Sequence, residues 1–159
     1  AITINFPTPQ PKAKYAKKRL VHVDHLMLYR PLFAAGATVT LRTDSKPLRD
    51  YALGQFAAAG YDTLWVSDDV RRDHPEHPET EYECRTREMG AAVYGICATP
   101  GEKPTEEQLA AGRAQEQSLA CYLPDNLDEL TYVPLGMEEA VENFKNRARK
   151  GKKRLPQES

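Results

Sequence analysis

All four histidines of this 159-residue chain fall in two His-x-x-His pairs, His22/His25 and His74/His77. Imidazole and thiolate are the donors zinc prefers, and Asp73, Glu76 and Cys84 lie near the second pair. The spacing supports such a site poorly. Residues three apart on a strand point to opposite faces, which separates His22 from His25. Pro75 and Pro78 keep His74 and His77 off a regular helix. The expectation is a polar loop holding no metal, with a structural ion across His74 and His77 as the alternative. Residues 68–88 are rich in carboxylates, including Asp68-Asp69, which could carry Mg²⁺ or acid–base work. Arg71, Arg72, Arg85 and Arg87 interleave with them and suggest a self-neutralising surface instead.

Nucleophile chemistry is no better supplied. Cys97 lies in an apolar run and Cys121 near the end of a helical pattern, so both read as small core residues. Cys84 is the exposed thiol, and its acidic neighbours disfavour the thiolate a nucleophile needs. Three cysteines without a C-x-x-C point to a reduced, cytoplasmic setting. No G-x-S-x-G, phosphate loop or G-x-G-x-x-G occurs, and the nine glycines are scattered singly. The pattern therefore predicts a protein that is not an enzyme and uses no cofactor.

Charge is the stronger signal. The chain carries 22 basic and 23 acidic residues, yet they are segregated. Lys12, Lys14, Lys17, Lys18 and Arg19 sit in an N-terminal stretch without an acid. Seven cations, among them Arg147, Arg149, Lys150, Lys152, Lys153 and Arg154, fill residues 145–154. Between the two, residues 24–144 hold 22 acids against 10 bases. Basic ends on an acidic body point to a polyanionic partner, since such segments bind phosphates by releasing counterions. Tyr15, set among lysines, is the candidate stacking platform, the pairing of charge and aromatic face that single-strand binders use. The functional expectation is a nucleic-acid-binding accessory or regulatory protein, favouring single-stranded DNA or RNA. These cations and Tyr15 would form its contact set, which a homo-oligomer would multiply. The alternatives are an acidic-surface interaction module that imitates nucleic acid, and a small metal-dependent hydrolase using His74 and His77.

The elements that must position these residues follow from periodicity. Ile2, Ile4 and Phe6 alternate as a short strand, halted by Pro7, Pro9 and Pro11. Residues 20–29 read as a strand with Val21 and Val23 inward and His22 and Asp24 wet. Residues 37–42 alternate as a strand. Asp44 or Ser45 then caps a helix with Pro47 in its first turn, Gly60 stops it, and residues 61–66 resume as a strand. Residues 68–88 read as a long exposed loop and 91–98 as a buried strand. Thr105 and Gln108 form a capping box opening a helix to about Cys121. Residues 131–133 suggest a short strand, and Met137, Ala140, Val141, Phe144 and Ala148 mark a last amphipathic helix. The sum is a single α+β domain with a mixed sheet of about four or five strands, one βαβ unit over residues 37–66 and about three helices. Its parts are an arm with a basic segment over 1–19, a globular body over 20–148 and a basic tail over 149–159. No apolar run reaches the length of about 18 residues that a membrane helix needs, and no leader pattern opens the chain.

Overall fold

The computed structural model describes residues 1–153, and its four strands form one mixed sheet in the order β1-β2-β4-β3. They are β1 (Ile2–Asn5), β2 (Val39–Thr43), β3 (Tyr61–Ser67) and β4 (Tyr94–Pro100). β1 pairs parallel with β2, Ile2 opposite Val39 and Asn5 opposite Arg42. β4 is antiparallel to both β2 and β3. β2 and β3 therefore run the same way, as a strand–helix–strand unit requires, but β4 is inserted between them. Alternation tells a strand which faces it presents and leaves its neighbour open, so the insertion is a tertiary decision.

The crossover helix α2 (Lys46–Ala58) starts where its residue types demand. Ser45 Oγ accepts from the Leu48 N–H, and Pro47 sits in the first turn, where a missing N–H costs nothing. A cap of this kind contributes about 1 kcal/mol. Gly60 ends the helix at φ +74, a left-handed conformation in which a Cβ would collide with the Glu102 carbonyl. Leu48, Tyr51 and Phe56 of α2 pack with Ile4, Val39, Leu41 and Ile96 of the sheet, all of them buried. The opposite face of β2 is covered as well, because Thr40 and Arg42 are buried too.

Five further helices complete the described residues: α1 (Val23–Tyr29), α3 (Val70–Asp73), α4 (Glu81–Glu88), α5 (Glu106–Ala114) and α6 (Glu138–Lys153). Six helices replace the expected three. The strand expected over 20–29 is α1, preceded by an extended residue. His22 is its N-cap, with Nδ1 accepting from the Asp24 N–H at 3.1 Å. Val21 and Val23 are buried, but so is His22, so no wet strand face exists. The segment read as a loop over 68–88 contains α3 and α4. Their signal was hidden because the buried residues of α4 are Glu83 and Thr86 rather than apolar ones. The capping box at Thr105 and Gln108 is present, but α5 stops at Ala114 and a short 3-10 turn over Leu119–Tyr122 follows. Residues 131–133 form no strand. β1 lies within the sheet, and Ala16 and Arg19 in the basic stretch after it are buried. Among the described residues no helix is long and apolar enough to cross a membrane.

Candidate functional site

Open sheets bind ligands beyond the carboxyl ends of parallel strands. Here the parallel pair is β1 and β2, and the residues that follow them are Phe6 and Asp44. Because Ser45 takes the capping role, the Asp44 side chain is left for the cavity. Asp44 is 8% exposed, and its Oδ2 accepts from Tyr132 at 2.8 Å and from Tyr82 at 3.0 Å. Among the described residues Oδ1 takes no such bond. The Phe6 ring lies 4.9 Å from the Tyr82 ring, tilted by 54°. Phe6, Pro7, Asp44, Tyr82 and Leu135 border a cavity of about 260 Å³. A second, about 160 Å³, also borders Asp44 and is walled by Tyr132, Tyr94 and Met137. Burial, reinforced by the neighbouring Asp44 carboxylate, pushes the Tyr82 phenol up to about 12, and the same causes raise Tyr132. Both phenols therefore stay protonated at neutral pH and donate to Asp44 Oδ2.

Two buried guanidinium groups build this geometry. Thr80 caps α4, accepting from the Glu83 N–H, and Glu83 is fully buried between Arg42 of β2 and Arg71 of α3. Arg71 Nε stands 2.6 Å from Glu83 Oε1, and Arg42 also donates to the Pro78 carbonyl at 2.8 Å. This network fixes α4, and with it Tyr82, against the polar face of β2. On the other side, Phe6 and Gln10 adopt φ of 47° and 50°, a left-handed region uncommon for residues with side chains. Arg19 clamps that turn: its Nη2 and Nε donate to the Gln10 carbonyl at 2.7 and 3.0 Å, and Nε also to the Pro9 carbonyl at 3.1 Å. The Arg19 guanidinium lies 4.5 Å from the centre of the Tyr51 ring.

Arg19 is thus a correction to the expected phosphate-contacting set: it is 1% exposed and its guanidinium shapes the Phe6–Gln10 turn. The other N-terminal cations are on the surface. Lys14 and Lys18 flank Tyr15 with ammonium groups 4.9 and 4.8 Å from its ring centre, Lys17 is exposed, and Lys12 pairs with Glu139 of α6 at 3.1 Å. The fold brings the two basic ends together. Lys12 and Tyr15 from one and Phe144 and Arg147 from the other line a groove of about 470 Å³. Gly136 borders both this groove and the Asp44 cavity, so the two adjoin. Arg149 and Lys150 are exposed further along α6; Lys152 and Lys153 belong to its last turn, and Arg154 lies outside the described residues. The groove is the larger space, but the two smaller cavities meet at Asp44, where a carboxylate and two phenols converge and the Phe6 ring lies alongside.

The remaining candidates separate cleanly. His22 is buried and bonded at the start of α1, and burial lowers its pKa. Cys97 is buried as expected, whereas Cys121 is exposed and not a core residue. Cys84 is exposed, and local desolvation together with the Glu79 carboxylate raises its thiol pKa, which suppresses the thiolate. Sequence reasoning passed over Asp44 and Tyr82 as site residues. Asp44 did carry a signal, an acid directly after a strand and before a helix cap. Tyr82 carried none, because α4 itself was hidden.

Residues 1–96 match the family described as "Putative methyltransferase". A tRNA (guanine-N(7)-)-methyltransferase of Streptococcus equi subsp. zooepidemicus is 31% identical over 97 residues, which is 60% of this chain and 46% of that protein. Proteins of the same name are 32% identical over 99 residues in Exiguobacterium sibiricum (62% and 46%) and 34% identical over 98 residues in Alkaliphilus oremlandii (61% and 46%). The chain spans about half the length of the curated relatives it matches. These matches overturn the expectation of a non-enzymatic, single-strand-binding accessory or regulator, and its two alternatives fall with it. Basic clusters suit polyanions, a property that enzymes acting on nucleic acid share with passive binders.

Proposed function

The chain belongs to this methyltransferase family, and on that premise we propose that its Asp44 pocket receives the acceptor base of a methyl transfer to RNA. The names of the relatives point to a guanine of tRNA, methylated at N7. The observation carrying the reading is the Asp44 carboxylate at the parallel strand ends, tied through Oδ2 to Tyr132 and Tyr82 and bordering the same cavity as the Phe6 ring. Guanine N7 holds an in-plane lone pair, so no proton need be removed before it takes a methyl group. The purine becomes cationic as the bond forms. A protein must therefore hold the flat base and surround it with negative potential, which a preorganised carboxylate supplies. A base treated in this way leaves its stack, and aromatic faces such as Phe6 and Tyr82 return about 1–3 kcal/mol per stacked base. Asp44 Oδ1 accepts from guanine N1–H or its amino group, where adenine offers an acceptor nitrogen and is refused. Lys12, Lys14, Lys17, Lys18, Tyr15, Arg147, Arg149 and Lys150 line the approach for phosphates, and Lys152, Lys153 and Arg154 follow them in the sequence.

A methyltransferase also needs a donor such as S-adenosylmethionine, and the residues around Asp44 do not fit a whole one. The turn after β1 runs Phe6-Pro7-Thr8-Pro9, whose prolines have no N–H to offer, and no glycine-rich turn follows β2. The Asp44 cavity, about 260 Å³, is below the range of about 300–1,000 Å³ usual for ligand sites. The pocket is therefore the acceptor side of the reaction. NMR titration with GMP and AMP tests this. GMP should shift resonances of Phe6, Asp44, Tyr82 and Tyr132, AMP should do so weakly, and Asp44→Asn should weaken GMP binding about 10–100-fold, the loss of one bond to a charged acceptor. Equal responses to the two nucleotides, or shifts remote from Asp44, would overturn the assignment.

A further inference from the structure

The second histidine pair, left aside by the reading above, is assembled by the fold. His74, Glu76 and His77 each present one donor atom, and the three atoms lie within 4.8 Å of one another. His74 Nδ1 stands 3.3 Å and His77 Nε2 4.0 Å from the same Glu76 oxygen. We propose that His74, Glu76 and His77 form a structural site for a late first-row divalent cation, zinc in the first place, on the connection between α3 and α4.

The donor set is two imidazoles and a carboxylate, a combination that suits zinc and its neighbours and not magnesium or calcium. Bonds of about 2.0–2.2 Å in a tetrahedron place donors about 3.3 Å apart. The His74–Glu76 separation already has that value. The Glu76–His77 separation closes by rotation of Glu76, whose side chain is 68% exposed, and the two imidazole donors, no more than 4.8 Å apart, close theirs by turning towards each other. The rings start from orientations that the protein sets. His74 is stacked on Trp65 at 3.9 Å between ring centres, His77 meets the edge of the same indole at 5.8 Å, and the two imidazoles are 5.9 Å apart at 86°. The indole can lie there because β4 carries Gly95 beneath it, and because a bulge between Thr63 and Trp65 re-aims the side chain.

The backbone is held as well. The His77 N–H donates to the His74 carbonyl at 3.1 Å, and Arg71 Nη2 donates to the His77 carbonyl at 2.6 Å. Pro75 and Pro78 fix φ on either side, so little chain entropy is lost when the ligands converge. Supports of this kind, which orient metal ligands from behind, commonly change metal affinity 10–100-fold. Three protein ligands leave a fourth position to water. The ion ties the end of α3 to the run into α4, where Arg71 also meets Glu83.

Trp65 is the only tryptophan in the chain, so its emission reports on this site alone. The test titrates the chain with Ni²⁺, an open-shell quencher, in a non-chelating buffer, then adds Zn²⁺ as competitor. Saturable quenching at one Ni²⁺ per chain in the micromolar range, reversed by Zn²⁺, is expected. His77→Ala and Glu76→Gln leave the His74–Trp65 stack in place. Each should weaken Ni²⁺ binding at least about tenfold while thermal unfolding in a chelator stays as in the unaltered chain. Failure to quench at millimolar Ni²⁺, or quenching with the same affinity in both variants, would overturn the proposal.

Discussion

Glu83→Gln is the sharpest probe of the structure, because it removes one charge and almost no volume from a fully buried position. The side chains of Glu83, Arg42 and Arg71 are 0%, 1% and 17% exposed. Two cations face one anion, so the substitution leaves two guanidinium groups opposite a neutral amide. With charge centres about 4 Å apart, each attraction is about 4 kcal/mol at an effective dielectric near 20. The amide oxygen retains one acceptor, but its NH₂ now confronts a guanidinium donor to donor. Truncating one partner of a buried ion pair costs about 3–5 kcal/mol, and this site belongs in that range. For a domain of this size each kcal/mol shifts the melting temperature by about 2–4 °C, so Tm should fall by about 6–20 °C. Urea unfolding followed by circular dichroism measures the free energy, and a thermal melt the shift. The double variant Arg42→Met with Glu83→Leu should recover most of the loss, because an apolar pair removes both buried charges and Arg71 can turn towards water. A loss below about 1 kcal/mol for Glu83→Gln, or a double variant no better than the single one, would refute the account of α4 given above.

Two other perturbations test separate links. In Gly95→Ala the new methyl would lie 2.6 Å from Val70 Cγ2 and 2.9 Å from the Trp65 ring. Overpacking of this kind costs about 1–3 kcal/mol, and a red shift of Trp65 emission should accompany it as the indole is pushed outward. An unchanged melt and spectrum would mean the indole does not rest on β4. His22 makes a pH prediction. Burial lowers its pKa in the folded state below the ordinary value, so the unfolded chain binds the proton more readily. Its stabilising contribution is fully present above the unfolded pKa near 6.5 and is lost as pH falls through the lower folded value. Protonation of Nδ1 also removes the acceptor that caps α1. His22→Asn keeps a capping oxygen without a titrating ring and should flatten the fall in Tm between neutral and mildly acidic pH. An equal slope in the variant would exclude His22 as its source.

Local chemistry alone fixed a good part of this molecule. Alternation at Ile2 and Ile4 and over 37–42, a cap at Asp44 or Ser45 with Pro47, the stop at Gly60, and the Thr105–Gln108 box each specify an element from residues a few positions apart. These need no knowledge of the partner they pack on. The segregation of basic ends from an acidic body was equally legible, and the groove between Lys12 and Arg147 is where those ends meet.

What the sequence withheld has one physical cause: elements whose buried face is polar look like surface. α4 hides Glu83 and Thr86, β2 buries Arg42 behind its apolar face, and Arg19 sits in the interior of a turn. The α4 segment therefore reads as an exposed loop and Arg19 as a phosphate contact, because charge is buried only where a partner from a distant segment neutralises it. The same holds for the pocket. Asp44, Tyr82, Tyr132 and Phe6 are spread over more than a hundred residues, and none of their bonds is local. Periodicity determined the strands near 37–42 and 61–66 and the helix between them. Only the tertiary structure decided that β4 lies between β2 and β3, that Ser45 rather than Asp44 caps α2, and that two phenols converge on the carboxylate left over, since each depends on contacts between residues remote in sequence.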